Sequence, residues 1–305
     1  MIQDIYPHKL INHYDPSKTP SLSSPVIHFK GRDILLFDKE NAVIFPTVRD
    51  FLPAEENAAQ PDGAASDEEL LARAKEAVGA LQFLFTVDDK DLYLARDKEI
   101  PVPEGFAYIP RDALRSDDML PKEMVFAAYT ALQLAGWYRD NVFCGTCGSL
   151  TEHSKTERAV VCPQCGRTIY PRILPAVIVA VRSADGERIL LTKYANRKFA
   201  AYALIAGFTE IGETLEETVA REVMEEVGIR VKNLQYYKSQ PWGIVDDILM
   251  GFFCTVDGDE TIRLDREELK LGAWFTRSEV QLQPTNFSLT NEMMRQFKEG
   301  NDPPV

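Results

Sequence analysis

The sequence predicts an α+β protein in three parts: a mixed α/β domain over residues 1–140, a four-cysteine ribbon over 141–171 and an α/β/α sandwich over 172–305. Three observations predict this organisation. Apolar runs of strand length recur on both sides of residue 140, two CxxC pairs lie between them, and residues 207–229 carry acids at helical spacing. A chain of 305 residues is long enough for two or three domains.

The first part alternates strand-like and helix-like segments. Its sequence favours strands at Val26–Asp38 and Asn41–Thr47, and an exposed loop at Asn57–Asp67. Further on we expect a helix over Glu68–Leu81, a strand pair formed by Gln82–Thr86 and Asp91–Ala95, and a long helix opened by Pro121. No catalytic constellation is present in this part, so structural support, a dimer contact and a substrate lid are its open roles.

Four cysteines in two CxxC pairs predict a zinc site. Fourteen residues separate the pairs, and Gly148 and Gly166 follow them, which suits the tight turns that aim two thiolates at one ion. The alternative is a redox-active CxxC dithiol, which would ordinarily need one cysteine pair and not two. Four thiolates fill a tetrahedral site, so we expect the zinc to be structural. The ligands are Cys144, Cys147, Cys162 and Cys165, while Cys254, in an apolar run, is expected to be a buried thiol.

The third part contains several strand-like runs and two helices. The last of these helices is predicted at Thr290–Phe297. The strands are expected at Ala176–Val181, Arg188–Thr192, Tyr202–Ala206, Val231–Ser239, Ile248–Val256 and Ala273–Thr276. Strands around two helices indicate a layered α/β sandwich.

The other helix of this part carries the acids. Thr214 with Glu217 forms a capping box, and Gly228 is a C-terminal stop signal. At ~3.6 residues per turn, carboxylates three and four positions apart project together, beside an apolar stripe with a period of four. Half-buried carboxylates repel one another and are costly to desolvate, and a hard divalent cation removes both penalties. These acids are Glu222, Glu225 and Glu226; a solvated acidic face is the alternative for the cluster taken alone.

The full pattern resembles a known superfamily. Gly207, Glu213 and the run 221–229 (REVMEEVGI) match the Nudix hydrolase signature at every fixed position. With the upstream ribbon, Tyr170-Pro171-Arg172 and Ser239-Gln240-Pro241-Trp242, the chain is similar to the zinc-ribbon NADH pyrophosphatases (NAD⁺ diphosphatases) of that superfamily. The resemblance implies a Nudix α/β/α sandwich that hydrolyses NAD(H) to NMN(H) and AMP with Mg²⁺ or Mn²⁺.

The resemblance also implies roles for single residues. Glu222 and Glu226 would bind the metal with the carbonyl of Ala206, Glu225 would be a further ligand or orient water, and Glu268 would complete the site. Arg221 and Glu213 would pair and brace the loop against the helix. Contacts to the substrate are implied for Phe208, Trp242, Tyr170, Ile178, Glu157, Gln240 and Thr290.

Two segments depart from the family pattern. Gly243–Asp247 follows Trp242 where the family has Pro-Phe-Pro, one variable residue and Ser. Thr290 ends a Ser-Leu-Thr run where the family tends to have Ser-Ile-Ala. Both departures bear on which dinucleotide is preferred, and neither bears on hydrolysis. ADP-ribose or a related dinucleotide is therefore an alternative substrate.

The composition of the chain limits which partners it can be expected to bind. A net charge of −13 argues against a broad nucleic-acid-binding surface, although removal of an NAD cap from RNA is an activity that the resemblance allows. No long apolar run or signal-peptide core is present, which predicts a cytoplasmic protein without a membrane partner. The resemblance suggests a homodimer. A non-catalytic binding module is the alternative from another class, and the three glutamates at metal-binding spacing argue against it.

Overall fold

A computed structural model describes residues 1–53, 65–97, 99–195 and 201–305, so most of the loop predicted at Asn57–Asp67 lies outside the described residues. The chain forms two compact units. One contains residues 1–3, 173–242 and 246–305, and the other contains residues 4–172 and 243–245. The ribbon is grouped with the N-terminal residues, and the three-part division remains a proposal. Within the described ranges, no helix is long and apolar enough to cross a membrane.

The described residues of the first unit include one six-stranded sheet. Its strands are β11 (Leu174–Arg182), β12 (Arg188–Tyr194), β13 (Ile205–Phe208), β14 (Val231–Trp242), β15 (Asp247–Val256) and β16 (Leu269–Thr276). The order is β14-β15-β11-β12-β16, and β13 pairs with β11. Strands β11 and β15 are parallel, whereas the other pairs are antiparallel.

Two helices cover the two faces of this sheet. The acidic helix (Leu215–Val227) buries Val219, Val223 and Val227 against one face, which includes Val177 and Val179. On the other face, the C-terminal helix (Leu289–Glu299) packs against a core that contains Ile178 and Phe253. Successive residues of a strand point to opposite faces, so β11 serves both cores. The predicted α/β/α sandwich is confirmed.

The described residues of the second unit form three small sheets and two α-helices, Asp67–Val78 and Lys122–Asp140. The strands are β1 (Leu10–Ile11), β2 (Val26–Ile27), β3 (Phe29–Lys30), β4 (Asp33–Phe37), β5 (Leu81–Val87), β6 (Lys90–Ala95), β7 (Phe106–Pro110), β8 (Glu152–His153), β9 (Val160–Val161) and β10 (Thr168–Ile169). A four-stranded sheet has the order β1-β5-β6-β2, a three-stranded sheet has the order β3-β4-β7, and the ribbon sheet has the order β10-β9-β8.

Two strand predictions in this unit were wrong. The segment Val26–Asp38 is not one strand but three. Strands β2 and β3 pair in different sheets, with β6 and β4, and Gly31, at φ +63°, turns the chain between β3 and β4. The segment Asn41–Thr47 forms only isolated bridges, since Asn41 has a positive φ and Pro46 has no N–H to donate to a ladder. The predicted pair of strands at Gln82–Thr86 and Asp91–Ala95 is confirmed as β5 and β6.

Candidate active site

The acidic helix begins and ends as its sequence predicts. Thr214 is its N-cap: the Glu217 N–H donates to Thr214 Oγ1 at 3.2 Å, and Glu217 Oε2 accepts from the Thr214 N–H at 2.7 Å. Gly228 ends the helix in the left-handed conformation at φ +67°. These two ends fix the length of the helix, and the burial of Val219, Val223 and Val227 fixes which of its acids lie at the edge of the sheet.

The three acids of this helix differ in burial. Glu226 is 2% exposed, Glu222 is half-buried, and the side chain of Glu225 is largely exposed. Burial raises the pKa of Glu222, hydrogen bonding and charge from Arg221 lower it, and the carboxylates of Glu225 and Glu268 raise it further. The helix therefore holds a row of acids that runs from the core edge out to solvent.

Arg221 ties this helix to the loop before it. Its Nε and Nη2 donate to the two carboxylate oxygens of Glu213 at 2.6 and 2.9 Å, and Nη2 also donates to the Phe208 carbonyl at 2.9 Å. Its Nη1 reaches Glu222 at 2.7 Å and Glu225 at 3.1 Å. The hydrogen bonds from Arg221 lower the pKa of Glu213 to about 2. The predicted pairing of Arg221 with Glu213 is present, and it is bidentate.

The strand beside the acids supplies a close backbone surface. Ala206 and Gly207 belong to β13, and the carboxylate of Glu222 lies directly against Gly207. Glu268 precedes β16, and its negative charge contributes to the raised pKa of Glu222. Carboxylate and carbonyl oxygens are the donors that Mg²⁺ and Mn²⁺ prefer, so the donor set fits a hard divalent ion. Within the described part of the chain, however, only the four cysteines converge on one point.

The residues predicted to contact substrate in this unit lie in different environments. Phe208 is 48% exposed and can meet a ligand. Trp242 is partly buried, edge-on to Phe287 at 5.6 Å between ring centroids. Ile178 is buried in the core beneath the C-terminal helix, while Thr290 is half-buried in the first turn of that helix.

Gln240 is also buried, and its amide is fully used within the chain. The Nε2 group donates to Gln3 Oε1 and the Phe287 carbonyl at 3.1 and 3.0 Å, while Oε1 accepts from the Leu289 N–H at 2.6 Å. These bonds anchor the start of the C-terminal helix to β14. Burial therefore favours a positioning role for Gln240, as it does for Ile178, over direct contact with substrate.

Two further predicted substrate residues lie in the second unit. The Tyr170 hydroxyl donates to Glu157 Oε1 at 3.0 Å, and both side chains are exposed. This hydrogen bond raises the pKa of the Tyr170 hydroxyl. The structure thus brings the pair together at the ribbon, and its role toward substrate stays a prediction.

The ribbon gathers its four thiols. Sγ of Cys144 lies 3.6 Å from that of Cys165, and Sγ of Cys147 lies 3.4 Å from that of Cys162. All four sulfur atoms lie within 4.8 Å of one another. Backbone N–H groups, Thr146 first, lower the pKa of Cys144 to about 6. This arrangement suits the four-thiolate coordination of zinc.

The turns that follow the two CxxC pairs have the same geometry. Gly148 and Gly166 both have φ +74°, the left-handed region that favours glycine, and each lies in a tight turn as the sequence predicted. Their N–H groups donate to the carbonyls of Cys144 and Cys162 at 2.8 and 2.9 Å. Cys254, by contrast, is buried in the sheet of the first unit, as expected.

Within the departing segment Gly243–Asp247, the sequence does not single out its last residue, which the structure shows to be buried. Asp247 begins β15, is buried, and carries a carboxyl whose pKa is raised to about 7, mainly by burial. The charge of Asp246 adds to the increase. The only sequence signal is an acid placed directly before an apolar strand, which is equally typical of an exposed loop end.

Comparison with known proteins gives matches to both units. The NUDIX domain matches residues 172–297, and the NADH pyrophosphatase zinc ribbon domain matches residues 139–170. A protein of Citrobacter koseri named NAD-capped RNA hydrolase NudC is 44% identical over 153 residues, which cover 50% of this chain and 58% of that protein. A relative of the same name from Salmonella heidelberg is 43% identical over the same shares. The match therefore spans less than two thirds of these relatives' length.

Among solved structures, a NUDIX hydrolase from Nitrosomonas europaea is similar with a TM-score of 0.44 and 22% sequence identity. The match covers 52% of this chain and 90% of that one.

Proposed function

We propose, from the premise that the chain belongs to the zinc-ribbon NADH pyrophosphatase family of the Nudix superfamily, that it hydrolyses the diphosphate bond of NAD(H). The products would be NMN(H) and AMP, and the reaction would need Mg²⁺ or Mn²⁺. The observation that carries this proposal is the placement of buried Glu226 and half-buried Glu222 on one edge of a capped helix, with the Glu222 carboxylate against Gly207 of β13.

Each acid has a task in this proposal. Glu222 and Glu226, with the carbonyl of Ala206 and the carboxylate of Glu268, would hold the ion. A divalent ion held there would offset the negative charge of the diphosphate and would lower the pKa of a bound water. Glu225 is exposed enough to meet water, so it would complete the ion's coordination or orient and deprotonate the attacking water. No Ser-His or Cys-His pair is needed, because nothing covalent forms between protein and substrate.

Arg221 supports these acids without touching the reacting atoms. Its two contacts to Glu213 and its contact to the Phe208 carbonyl hold the loop 208–213 against the helix. The same guanidinium offsets repulsion between Glu222 and Glu225. We therefore assign Arg221 and Glu213 positioning roles.

A panel of substrates tests the proposal. Purified protein with Mg²⁺ or Mn²⁺ is incubated with NADH, NAD⁺, ADP-ribose and diadenosine polyphosphates, and the products are separated by chromatography. We expect NMNH and AMP from NADH, loss of the reaction with excess EDTA, and a decrease of at least about 1,000-fold in kcat for Glu226→Gln. Glu216→Gln is the matched control, since Glu216 is exposed on the same helix.

The outcomes separate chemistry from specificity. Preference for ADP-ribose over NADH would contradict the substrate and leave the chemistry intact. Full activity of Glu226→Gln would contradict the assignment of the acids.

A second candidate function is removal of an NAD cap from RNA. It is favoured by the name of the relatives, NAD-capped RNA hydrolase. A comparison of NAD-capped RNA with free NAD⁺ at equal concentration distinguishes the two candidate functions. A higher kcat/KM for cap removal than for NAD⁺ hydrolysis would make the RNA the preferred substrate.

We further propose a homodimer and a structural zinc ion in the ribbon, held by Cys144, Cys147, Cys162 and Cys165. Light scattering coupled to gel filtration measures the oligomeric state, and we expect the mass of two chains. Elemental analysis measures the zinc content, and we expect about one zinc per chain from a closed four-thiolate site.

A further inference from the structure

A cavity of about 560 Å³ lies in the second unit, between a short 3₁₀ helix (Val48–Phe51) and the segment that precedes β7. This volume is typical of small-molecule sites, which span roughly 300–1,000 Å³. Eight residues line the cavity in two runs of four, which form its two walls. The first wall is Asp50, Phe51, Leu52 and Pro53, and the second is Pro101, Val102, Pro103 and Glu104.

Both walls are anchored in the core of this unit. Phe51 and Leu52 are 8% and 5% exposed, and they belong to the same apolar cluster as Val48 and Leu70. Ile100, the residue directly before the second wall, is a member of that cluster as well. The cavity is therefore attached to packed structure on both sides.

Three prolines make the lining apolar and stiff. Pro53, Pro101 and Pro103 have fixed φ angles and no N–H groups to offer to a ligand. Val102 lies between two of them, and it is 50% exposed. A stiff apolar wall loses little conformational freedom when a ligand binds, so less free energy is spent on ordering it.

Each wall also carries one carboxylate that no basic side chain neutralises. Asp50 caps the 3₁₀ helix through Oδ2 alone, which accepts from the Thr47 N–H and hydroxyl at 2.6 and 2.8 Å. Glu104 is exposed and forms no hydrogen bond or ion pair with the described residues. Arg49, beside Asp50, pairs with Asp67 at 3.8 Å. None of the eight lining residues is Lys, Arg or His.

This combination selects one class of ligand. An anion is repelled by both carboxylates, and a neutral apolar molecule leaves them without a partner. An organic cation satisfies both parts of the lining: its apolar body covers Val102 and the proline rings, and its N–H groups donate to the carboxylates.

We propose that this cavity binds a small organic cation, an ammonium or guanidinium ion on an apolar body. Its N–H groups donate to Asp50 Oδ1 and to the Glu104 carboxylate. A cavity bounded by eight residues suits one small molecule, whereas an extended peptide needs a groove or a sheet edge. Ligand binding is thus a further role for the N-terminal residues, and it does not depend on the diphosphate hydrolysis proposed above.

Three probes that share an indole ring and differ in charge test the assignment. They are tryptamine, which is an ammonium ion at neutral pH, the neutral alcohol tryptophol, and the anion indole-3-propionate. Saturation-transfer NMR titrations of the full chain with Mg²⁺ measure each Kd. We expect tryptamine to bind with a Kd of about 1 mM or below, at least about fivefold more tightly than tryptophol, and indole-3-propionate not to bind. High salt should weaken the binding of tryptamine alone.

Two variants locate the bound probe. Glu104→Gln removes one carboxylate without removing a contact within the fold, and we expect it to raise the Kd of tryptamine by about three- to fivefold and to leave that of tryptophol unchanged. Val102→Lys places an ammonium group in the wall and should abolish the binding of tryptamine. Glu99→Gln is the matched control, because Glu99 is an exposed acid of the same segment that does not line the cavity. Circular dichroism verifies that each variant is folded.

Four results would overturn the proposal. They are equal Kd values for tryptamine and tryptophol, no binding of any probe, equal losses in Glu104→Gln and Glu99→Gln, and undiminished binding of tryptamine by Val102→Lys. The source of the cation is tested with the peptide acetyl-Pro-Lys-Pro-amide. If this peptide displaces tryptamine and binds more tightly than it does, the occupant is a protein segment and not a small molecule.

Discussion

The carboxylate of Glu222 occupies the space beside Gly207 that a side chain would fill. An ideal Cβ built on Gly207 would stand 1.9 Å from Glu222 Cδ and 2.0 Å from Oε1. Gly207 has no positive φ, so its backbone would accept any residue. The glycine is required by the neighbouring carboxylate and not by the conformation of its own chain.

Gly207→Ala should therefore separate function from stability. The atoms in the way are the far end of a flexible side chain, so the fold can accommodate the methyl group by rotating Glu222, at a cost of about 1 kcal/mol, the low end for overpacking. The rotated carboxylate would leave its place among the acids, and we expect kcat to fall by about 100-fold with a nearly unchanged Tm. Steady-state kinetics and differential scanning fluorimetry measure both.

Gly145→Ala is the control, because a Cβ there meets nothing within 4 Å. It should alter neither kcat nor Tm. A Gly207→Ala enzyme with wild-type kcat would show that the position of the Glu222 carboxylate is not critical.

Arg221→Lys should lower both activity and acid stability. A lysine ammonium cannot bind both oxygens of Glu213 and also reach Glu222, as the guanidinium does. We expect kcat/KM to fall by at least about 10-fold. In the wild type, the pKa of Glu213 is depressed from its ordinary 4.5 to about 2, so its contribution to stability is present above about pH 4.5 and is lost as pH falls through about 2.

Acid titration followed by circular dichroism measures this effect. The unfolding midpoint of the variant should lie at higher pH than that of the wild type. Coincident midpoints would contradict the assignment of the Arg221–Glu213 pair as a brace.

Much of the first unit could be predicted because its signals are local. Thr214, Glu217 and Gly228 specify both ends of the acidic helix through contacts within a few residues. The period of four then identifies which acids sit at the core edge. The spacing and knuckle glycines of the ribbon are equally local, and the structure has both thiol pairs and both left-handed glycines.

The features that the sequence does not predict have a different physical cause. Whether Asn41–Thr47 joins a sheet depends on partners distant in sequence, and only single bridges form there. The burial of Asp247 and of Gln240 depends on what the sheet and the C-terminal helix place around them. Apolar periodicity contains no information about such long-range neighbours, so a polar residue at a strand end cannot be assigned to the core from sequence alone.

Asp247→Asn should stabilise the protein above neutral pH. Burial raises the folded-state pKa of Asp247 to about 7, so the folded protein binds a proton that the unfolded chain, with a pKa near 3.8, has already released. The cost of ionising the buried acid is absent below about pH 4, grows by about 1.4 kcal/mol per pH unit between the two values, and is complete above pH 7. Asparagine never ionises.

We therefore expect Tm of Asp247→Asn to exceed that of the wild type at pH 8, and the difference to vanish near pH 4. Calorimetry at several pH values measures it, with Asp246→Asn as the control. A difference in Tm that is independent of pH would show that the effect does not come from ionisation of Asp247.

Removal of zinc should destabilise the unit that contains the ribbon. Cys144 and Cys162 are buried, and thiolates brought this close repel one another without a cation between them. We expect a zinc-selective chelator, or Cys162→Ser, to lower Tm by at least about 5 °C. Cys254→Ser is the matched control, because Cys254 lies in the other unit and should leave zinc content unchanged. Protein that is free of zinc and has the Tm of the wild type would contradict a structural ion.

The C-terminal residues should be needed for stability because Asp302 neutralises a buried arginine. Arg182 and Asp302 are 1% and 3% exposed, and Arg182 Nη1 donates to Asp302 Oδ2 at 2.9 Å. Arg277 donates to the other oxygen at 2.6 Å. Asp302→Ala leaves the Arg182 charge buried, and we expect it to lower the free energy of unfolding by about 3–5 kcal/mol. Urea denaturation measures the loss.

The double variant Arg182→Met, Asp302→Ala tests whether the loss of stability comes from the unpaired charge of Arg182. Methionine fills much of the volume of the arginine stem without its charge, so the double variant should be more stable than Asp302→Ala alone. Gln235, which accepts a hydrogen bond from Arg182 and donates one to the Pro304 carbonyl, still holds the C-terminal segment in that variant. If the double variant is as unstable as Asp302→Ala or less stable, Asp302 contributes through packing and hydrogen bonds, and its charge is not what the sheet requires.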